Sequence, residues 1–408
     1  FVATFYILNG TDFMVQLESG FYESTPNAAR QLHYVTSNLK IISFEQLDVK
    51  YNRPDRVIED IGRADTVLIN SYRNAYYKRI KKLGVDTSSF RSGYAVPEAD
   101  FVNRAGVNKS VSSENLSLHI AGLDSTYNLD RINVWINEVP VFGLKGKSIR
   151  SSNTKTIDIT VPVVLSQGEN RIETSVTNVN GTESYRMPML VNYNPVLPQK
   201  ENTYFIGIGI DKFSDSLYNL KYSTKDIRDL CVKLKAKFGH DIIIDTLFNE
   251  NVTVNNVRAL KQKLLNSTVN DKVIISYSGH GLLSKDYDYY LSTYTVNFAK
   301  PEANGLSYDE LESLLDSIPA RKKLMLIDAC HSGEVDKDEF RMTQLSKAVL
   351  DSNNVVSKGG VVTNTDTTAA KLGLQNSFEL MKNLFENVGN STGPTIISAA
   401  AGTEKKKK

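Results

Sequence analysis

Two short apolar runs, each followed at once by a reactive side chain, constrain the fold of this chain more than any other feature. Residues 273–281 are Val-Ile-Ile-Ser-Tyr-Ser-Gly-His-Gly, and residues 324–333 are Leu-Met-Leu-Ile-Asp-Ala-Cys-His-Ser-Gly. Apolar runs of this length that end at glycine or polar residues are typical of buried parallel strands. The residues that follow such strands share one edge of the sheet. The pattern therefore predicts His280 and Cys330 on neighbouring loops, as a candidate base and nucleophile.

Simpler interpretations of both residues compete with this one. A lone cysteine in an apolar run is usually a small core side chain, and a lone histidine beside glycine is usually a turn residue. Here the thiol follows the apolar run, between Asp328 and Gly333, which favours an exposed edge. His331 is adjacent to Cys330, and consecutive side chains of an extended chain point to opposite sides. His280 is therefore the candidate base.

From Asn202 onward the chain alternates between strand-like and helix-like segments. This alternation predicts a mostly parallel sheet with helices on both faces, an α/β/α sandwich. Ser307 and Glu310 form a capping-box pattern at the start of the last helix. The predicted strands are 204–210, 242–248, 272–277 and 323–328, and the predicted helices are near 223–238, 253–266 and 307–317.

The first half of the chain differs in pattern, and we predict three domains in the 408 residues. Residues 1–110 show a short β-meander and then helices at about Arg53–Ile61 and Ala64–Leu83, an α+β region. Residues 111–198 contain about seven short alternating strands separated by turn signals such as Asn137-Glu138, typical of an immunoglobulin-like β-sandwich. Residues 199–408 form the α/β domain.

Composition excludes little. The 48 Lys and Arg residues balance 46 Asp and Glu residues, so charge gives no argument for a nucleic acid or membrane partner. No apolar run is long enough to span a bilayer, and no signal peptide is seen, although the chain opens on Phe1. Of the two cysteines, Cys231 lies in a helical pattern and is predicted to be core. A free reactive thiol fits a reducing compartment, so we predict a cytoplasmic protein.

The Ser-Gly-His-Gly and Asp-Ala-Cys-His-Ser-Gly motifs, which place His280 and Cys330 50 positions apart, resemble those of the caspase-type cysteine peptidases, most closely the metacaspase-like bacterial branch. The resemblance covers about Asn202 to Glu404. It implies acyl transfer, in which Cys330 attacks a peptide carbonyl and His280 activates the thiol and protonates the leaving amine. It also implies oxyanion donors at the backbone N–H groups of Gly281 and Cys330. No third orienting residue is predicted.

The resemblance also assigns a substrate pocket. It implies that acids at the positions of Asp226 and Asp328 line S1 and pair with a substrate Lys or Arg. Ser278, two residues before the candidate base, is a further candidate substrate-binding residue. Caspases proper select acidic residues with arginines, which these motifs lack. We therefore predict cleavage after Lys or Arg. Two simpler interpretations stay open: Asp226 as a first-turn carboxylate favoured by the helix dipole, and Asp328 as a residue that caps a strand end.

Calcium is the one cofactor that the resemblance suggests, because many metacaspases are activated by it. Oxygen-rich clusters suit calcium, yet acidic residues are also what solvated loops contain, and their spacing here matches no known calcium loop. We therefore assign no metal ligand. The acidic residues concerned are Asp286, Asp288, Asp336, Asp338 and Glu339.

The long polar stretch 334–376 corresponds to the connection where activation cleavage commonly falls in this family. A Lys/Arg-specific enzyme could cut itself there, and self-cleavage is the predicted route of activation. The chain ends in Lys405–Lys408, where the family continues further, so we expect a truncated peptidase domain. The lysines in the stretch are Lys337, Lys347, Lys358 and Lys371.

Two other functions compete with an active cysteine endopeptidase. One is a catalytically inactive caspase-like module that signals or binds through its β domains. The other, a non-peptidase cysteine hydrolase, is disfavoured by the two acids that match the S1 pattern. The expected partners are a protein or peptide substrate and a protein bound through the β-sandwich. The first residues also resemble the end of a β-propeller in bacterial caspase-like proteins.

Overall fold

The computed structural model describes seven stretches of the chain. They fall into two units, one ending at Gln199 and the other beginning at Lys200. The division into three domains at residues 110 and 198 stays a prediction. The described stretches are residues 2–36, 39–62, 66–284, 288–329, 354–357, 360–363 and 394–398.

The first unit opens with a three-stranded antiparallel meander in the order β1-β2-β3. Asn9 and Gly10, both at positive φ, form the first turn, as the Asn-Gly pair predicts. Met14 on the second strand and Tyr22 on the third are fully buried, and they pack with Leu47 in one small core. The strands are β1 Ala3–Leu8, β2 Asp12–Leu17 and β3 Tyr22–Ser24.

Four helices and a small hairpin follow this meander. The two predicted helices are confirmed as α3 and α4, whereas α1 and α2 were not predicted. None of the described helices, the 18-residue α4 included, is long and apolar enough to cross a bilayer. These elements are α1 Pro26–Gln31, β4 His33–Val35, β5 Ile41–Ser43, α2 Phe44–Tyr51, α3 Pro54–Ile61 and α4 Thr66–Leu83.

The rest of the first unit is all-β and forms two sheets. One has the order β10-β9-β13-β14-β7, with β11 also paired to β9, and the other has the order β12-β8-β6. The strands are β6 Glu98–Phe101, β7 Ser110–Val111, β8 Asn115–Leu123, β9 Leu129–Ile136, β10 Val139–Pro140, β11 Lys147–Ser148, β12 Thr156–Val164, β13 Gly168–Asn178 and β14 Met187–Tyr193.

The two sheets share one apolar core. Ile120 on β8, Ile132 on β9 and Ile172 on β13 are all fully buried in it. Asn137 and Glu138 form the predicted turn between β9 and β10, and both have positive φ. The second sheet begins upstream of residue 111, because β6 pairs with β8. The immunoglobulin-like architecture stays a prediction.

The second unit contains the predicted parallel sheet. Its five strands have the order β16-β15-β17-β21-β24, and every neighbouring pair is parallel. The sheet strands and the first helix are β15 Thr203–Gly209, α5 Ser223–Phe238, β16 Ile242–Phe248, β17 Lys272–Ser278, β21 Lys322–Asp328 and β24 Pro394–Ser398.

Smaller elements of the second unit differ in part from their predictions. The helix predicted over 253–266 is two short helices that meet at Leu260, and the helix predicted over 307–317 ends at Ser313. The capping box of Ser307 and Glu310 is confirmed. The remaining elements are α6 Val254–Ala259, α7 Lys261–Leu264, β18 Gly281–Leu283, β19 Tyr289–Leu291, β20 Leu306–Ser307, α8 Tyr308–Ser313, β22 Asn354–Ser357 and β23 Gly360–Thr363.

Candidate active site

The carboxyl ends of β15, β17 and β21 lie side by side. Ser278, the last residue of β17, pairs with Gly209 on one side and with Asp328 on the other. The Gly279 N–H donates to the Asp328 carbonyl at 3.2 Å, which joins the loops beyond the strands. The segments that carry His280 and Ala329 therefore leave the sheet at the same edge, as the sequence predicts.

The His280 ring is buried in an aromatic environment. Its centroid lies 5.3 Å from that of Phe213 and 5.4 Å from that of Phe298. The ring of Tyr218 stacks on Phe298 with a centroid distance of 3.6 Å and an interplanar angle of 8°. Only 7% of His280 is exposed, so the ring has little room to change its orientation.

A backbone carbonyl fixes the proton on this ring. Nε2 of His280 lies 2.8 Å from the carbonyl oxygen of Tyr218. A carbonyl oxygen only accepts hydrogen bonds, so Nε2 carries the hydrogen and donates it. In the neutral imidazole the lone pair is then on Nδ1, the nitrogen that can act as a base. The sequence predicts no orienting group, because a main-chain oxygen is supplied by every residue type and gives no signal in the sequence.

Two buried hydroxyl groups hold the backbone of His280. The His280 N–H donates to Oγ of Ser292 at 3.1 Å, and the Ser292 N–H donates to the His280 carbonyl at 2.9 Å. The Tyr277 hydroxyl donates to the Ser292 carbonyl at 2.8 Å. Tyr277 and Ser292 are fully buried, and burial raises the pKa of the Tyr277 phenol. The phenol therefore stays a neutral donor, and the position of His280 does not depend on its ring contacts alone.

The two predicted S1 acids face the same region. Asp226 lies in the first turn of α5 and Asp328 ends β21, and both are exposed. Partial desolvation, and then the negative charge of Asp328, raise the pKa of the Asp226 carboxyl. Ser278 Oγ is 3.4 Å from Asp328 Oδ2 and can donate to it. The structure therefore brings these three predicted residues together at the sheet edge.

Asp211, which sequence analysis did not single out, holds the start of α5. Its carboxylate accepts hydrogen bonds from the backbone N–H of Thr224, at 3.2 Å, and from the Thr224 hydroxyl. The helix has no capping side chain at Tyr222, so Asp211 satisfies an N–H that would otherwise lack a partner within the helix. This contact ties the end of β15 to the helical turn that carries Asp226.

Glycine in β15 allows α5 to pack close to the sheet. A Cβ atom on Gly209 would lie 2.9 Å from the Ser223 carbonyl oxygen and 3.0 Å from the Thr224 Cα. Those atoms belong to backbone, which cannot move aside as a flexible side chain can. Gly209 therefore sets how near the first turn of α5, with Asp226, comes to the sheet edge.

Some of the predicted site lies outside the described residues. Cys330 follows directly after the buried Ala329 and is outside them, as are His331 and the lysines of 334–376. Gly281, the other predicted oxyanion donor, is the first residue of β18 and is described. Cys231 was predicted to be a core residue; it is half-buried on α5, and burial raises the pKa of its thiol.

The calcium prediction falls mostly on residues that are not described. Asp286, Asp336, Asp338 and Glu339 lie outside the described stretches. Asp288 is described, and its backbone N–H donates to the Ser284 hydroxyl at 3.0 Å. Within the described stretches no three His, Cys, Asp or Glu side chains are grouped so that they could hold a metal ion.

Comparison with known proteins relates this chain to the caspase family model and to a curated metacaspase. The family model described as the caspase domain matches residues 206–398. Metacaspase-1 of the yeast Meyerozyma guilliermondii is 28% identical over 142 residues, which cover 31% of this chain and 34% of that protein. The chain thus matches about a third of the length of this curated relative.

Solved structures give only distant similarities. A Geobacter sulfurreducens protein of known crystal structure aligns with 48% of this chain and 71% of its own, at 16% identity and a TM-score of 0.28. The fibronectin(III)-like modules of Clostridium thermocellum CbhA align with 26% of this chain and 52% of their own, at 11% identity and a TM-score of 0.19. Scores this low carry no argument about fold or function.

Proposed function

Because residues 206–398 of this chain belong to the caspase domain family, we propose that the protein is a cysteine endopeptidase that cleaves after Lys or Arg. The observation that carries the proposal is the grouping of His280, Asp226 and Asp328 at one sheet edge. Histidine supplies a base for the thiol, and the two carboxylates supply negative charge for a cationic side chain. Cys330, one residue beyond Ala329 on the neighbouring loop, is the proposed nucleophile.

In the proposed reaction, Nδ1 of His280 accepts the proton of the Cys330 thiol. The thiolate attacks the peptide carbonyl carbon, and the oxyanion that forms accepts hydrogen bonds from the N–H groups of Gly281 and Cys330. The C–N bond then breaks as His280 returns the proton to the leaving amine. Water hydrolyses the resulting thioester, which releases the new carboxylate and restores the thiol. The Tyr218 carbonyl supports this role, because it stabilises the ring when both nitrogens carry hydrogen.

The proposed pocket for the substrate Lys or Arg lies between Asp226 and Asp328. The raised pKa of Asp226 reflects desolvation first and repulsion from Asp328 second, and a cation bound between the two carboxylates would relieve that repulsion. Ser278 supports the pocket through its hydroxyl, which can donate to Asp328. An acidic substrate side chain would instead add to the repulsion.

The test is turnover of peptide reporters that end in Arg, Lys or Asp. Wild type is expected to cleave the Arg and Lys reporters and to leave the Asp reporter intact, and Cys330→Ala to cleave none. Each assay is run with and without calcium, because the resemblance to metacaspases suggests activation by calcium. Absence of Cys330-dependent cleavage under every condition would favour an inactive caspase-like module that binds partners through its β domains.

Self-cleavage within 334–376 is the proposed route of activation, because four lysines lie there. Incubated wild type is expected to acquire a nick after one of these lysines, located by mass spectrometry, while Cys330→Ala remains whole. A wild type that turns over reporters at full rate without a nick would contradict this route.

For the first unit we propose that the two sheets of β6–β14 form an immunoglobulin-like module that binds a protein partner. The shared apolar core of these sheets supports a self-contained module. A reducing, cytoplasmic setting is proposed for the whole chain on the ground of its proposed thiol nucleophile.

A further inference from the structure

Tyr289 joins the two loops of the candidate site. It is the first residue of β19 and is 6% exposed. Its hydroxyl donates to the carbonyl oxygen of Ala329 at 3.3 Å, across 40 residues of sequence. That carbonyl belongs to the peptide group whose nitrogen is the backbone N–H of Cys330. The hairpin that begins at Gly281 is thereby tied to the segment that leads into the proposed nucleophile.

The same phenol fits against Gly281. A Cβ atom on Gly281 would collide with the Tyr289 hydroxyl oxygen and would lie 2.9 Å from the Tyr289 Cζ. Gly281 pairs with Leu291 in the antiparallel ladder that also contains Tyr289, so the fit is built into the register of β18 and β19. One side chain therefore contacts both Gly281 and the Ala329 carbonyl, which lies one peptide bond before the second proposed donor.

We infer that Tyr289 is a positioning residue for the oxyanion site, an inference that rests on the proposed function. In a planar trans peptide the N–H points opposite to the C=O. A hydroxyl that holds the Ala329 carbonyl therefore also sets the direction of the next N–H, which is the one proposed to donate to the oxyanion. Donors that are fixed before the reaction stabilise developing charge without the cost of reorganisation.

The hydroxyl and the ring of Tyr289 have separable roles. The ring fills the space beside Gly281, a packing role that phenylalanine would keep. The hydroxyl bonds the Ala329 carbonyl, and phenylalanine would lose that contact while keeping the ring. Tyr289→Phe therefore removes the orienting contact and preserves the shape. Tyr290→Phe is the matched control, because it removes a phenol from the next residue of the same strand, where the side chain points to the opposite face.

The experiment compares wild type, Tyr289→Phe and Tyr290→Phe in three measurements. The first measurement is kcat and KM on an Arg reporter. The second is the Kd of a peptidyl-arginine aldehyde, whose adduct with the thiol places an oxygen at the oxyanion position. The third is the rate of thiol alkylation by iodoacetamide. Tyr289→Phe is expected to lower kcat about tenfold with KM within about twofold, and to weaken aldehyde binding by a similar factor. Alkylation should be unchanged, because it needs the thiolate and a folded site but no oxyanion donors.

The outcomes separate this inference from the proposed function. A Tyr289→Phe variant that keeps both kcat and aldehyde affinity would overturn the inference alone. A variant that loses alkylation together with turnover would show a general loss of structure, and the positioning role would then be rejected. A wild type without Cys330-dependent turnover would overturn the proposed function and the inference with it. Tyr290→Phe should match wild type in all three measurements.

Discussion

At the scale of single residues, Asp328 interacts with two other residues of the candidate site. Asp328 is paired with Ser278 in the sheet, accepts a hydrogen bond from its hydroxyl and repels Asp226 electrostatically. A change at Asp328 should therefore be felt at two other positions, and single-residue effects here should not add. Sequence resemblance could place the two acids in one pocket, but their coupling depends on how near α5 comes to β21.

Replacing Asp226 by Asn should weaken recognition of basic substrates. Loss of one charge from the carboxylate pair is expected to lower kcat/KM for an Arg reporter by at least about tenfold, the low end for a charge that stays partly solvated. Asp229→Asn is the matched control, since Asp229 is on the same helix but pairs with Lys225 on the surface. An equal loss of kcat/KM in both variants would show that the total negative charge on α5 matters, and not a specific pocket at Asp226.

The pH dependence of reporter binding should reflect the raised pKa of Asp226. A carboxyl with a raised pKa takes up its proton at a higher pH than an ordinary aspartate, so the negative charge is lost earlier as pH falls. Binding of a Lys or Arg reporter should then weaken on acidification before ordinary carboxylates titrate. In Asp328→Ala the repulsion from Asp328 is removed, while desolvation and the weaker repulsion from other carboxylates remain, so the acid limb of 1/KM is expected to move part of the way to lower pH. An acid limb that stays in place would show that Asp328 does not act on Asp226.

At the scale of elements, the parts that could be predicted from sequence are those with a local pattern. The runs that become β15, β17 and β21 are apolar and end at polar or glycine residues, and α5 has its predicted bounds. The helix predicted over 253–266 was wrong in being continuous, since the pattern does not register the break at Leu260.

The contacts that orient the site could not be predicted in this way. Tyr218 and His280 are 62 residues apart, and the group that acts is a backbone oxygen. Asp211 looks like any loop aspartate until α5 is folded against it. Such contacts arise from the path of the chain between elements, which one sequence without its structure does not specify.

Gly209→Ala tests how α5 is seated on the sheet. The added methyl group would meet backbone at 2.9 Å, so the first turn of α5 must shift. We expect a loss of about 1–3 kcal/mol in the free energy of unfolding, and a fall in kcat/KM for Arg reporters because Asp226 moves with the helix. Urea denaturation and reporter kinetics measure the two effects.

Gly106→Ala is the control for this variant. No atom lies within 4 Å of the added Cβ at Gly106, and its φ is not in the left-handed region. A similar loss in Gly106→Ala would contradict the packing explanation.

At the scale of the whole chain, the two units depend on different buried contacts. In the first unit, the buried Arg131 bonds Asp130 and donates to the carbonyl oxygens of Gly84, at 3.0 Å, and Lys145, at 3.1 Å. It also donates to the carbonyl of Leu83, the last residue of α4. This guanidinium therefore joins the helical part of the unit to the sheet that contains β9, whereas the second unit is organised around its parallel sheet.

Arg131→Ala should destabilise the first unit without lowering peptidase activity. Removal of one partner of a buried ion pair costs about 3 kcal/mol, and Arg150 remains as a partner for Asp130. Unfolding followed by Trp135 fluorescence, the single tryptophan of the chain, reports on the first unit alone. Its midpoint should fall in Arg131→Ala and stay unchanged in Gly209→Ala. A loss of Arg-reporter turnover in Arg131→Ala under native conditions would show that the units do not act independently.

The Tyr218 carbonyl bears on which sequence changes this protein can tolerate during evolution. Because every residue type supplies the same main-chain oxygen, no substitution at position 218 deletes the acceptor that fixes the His280 proton. The interaction is instead sensitive to the number of residues between Ile210 and Ser223, which determines where that oxygen falls. An insertion or deletion in this loop should therefore displace the acceptor, whereas a substitution at position 218 should leave it in place.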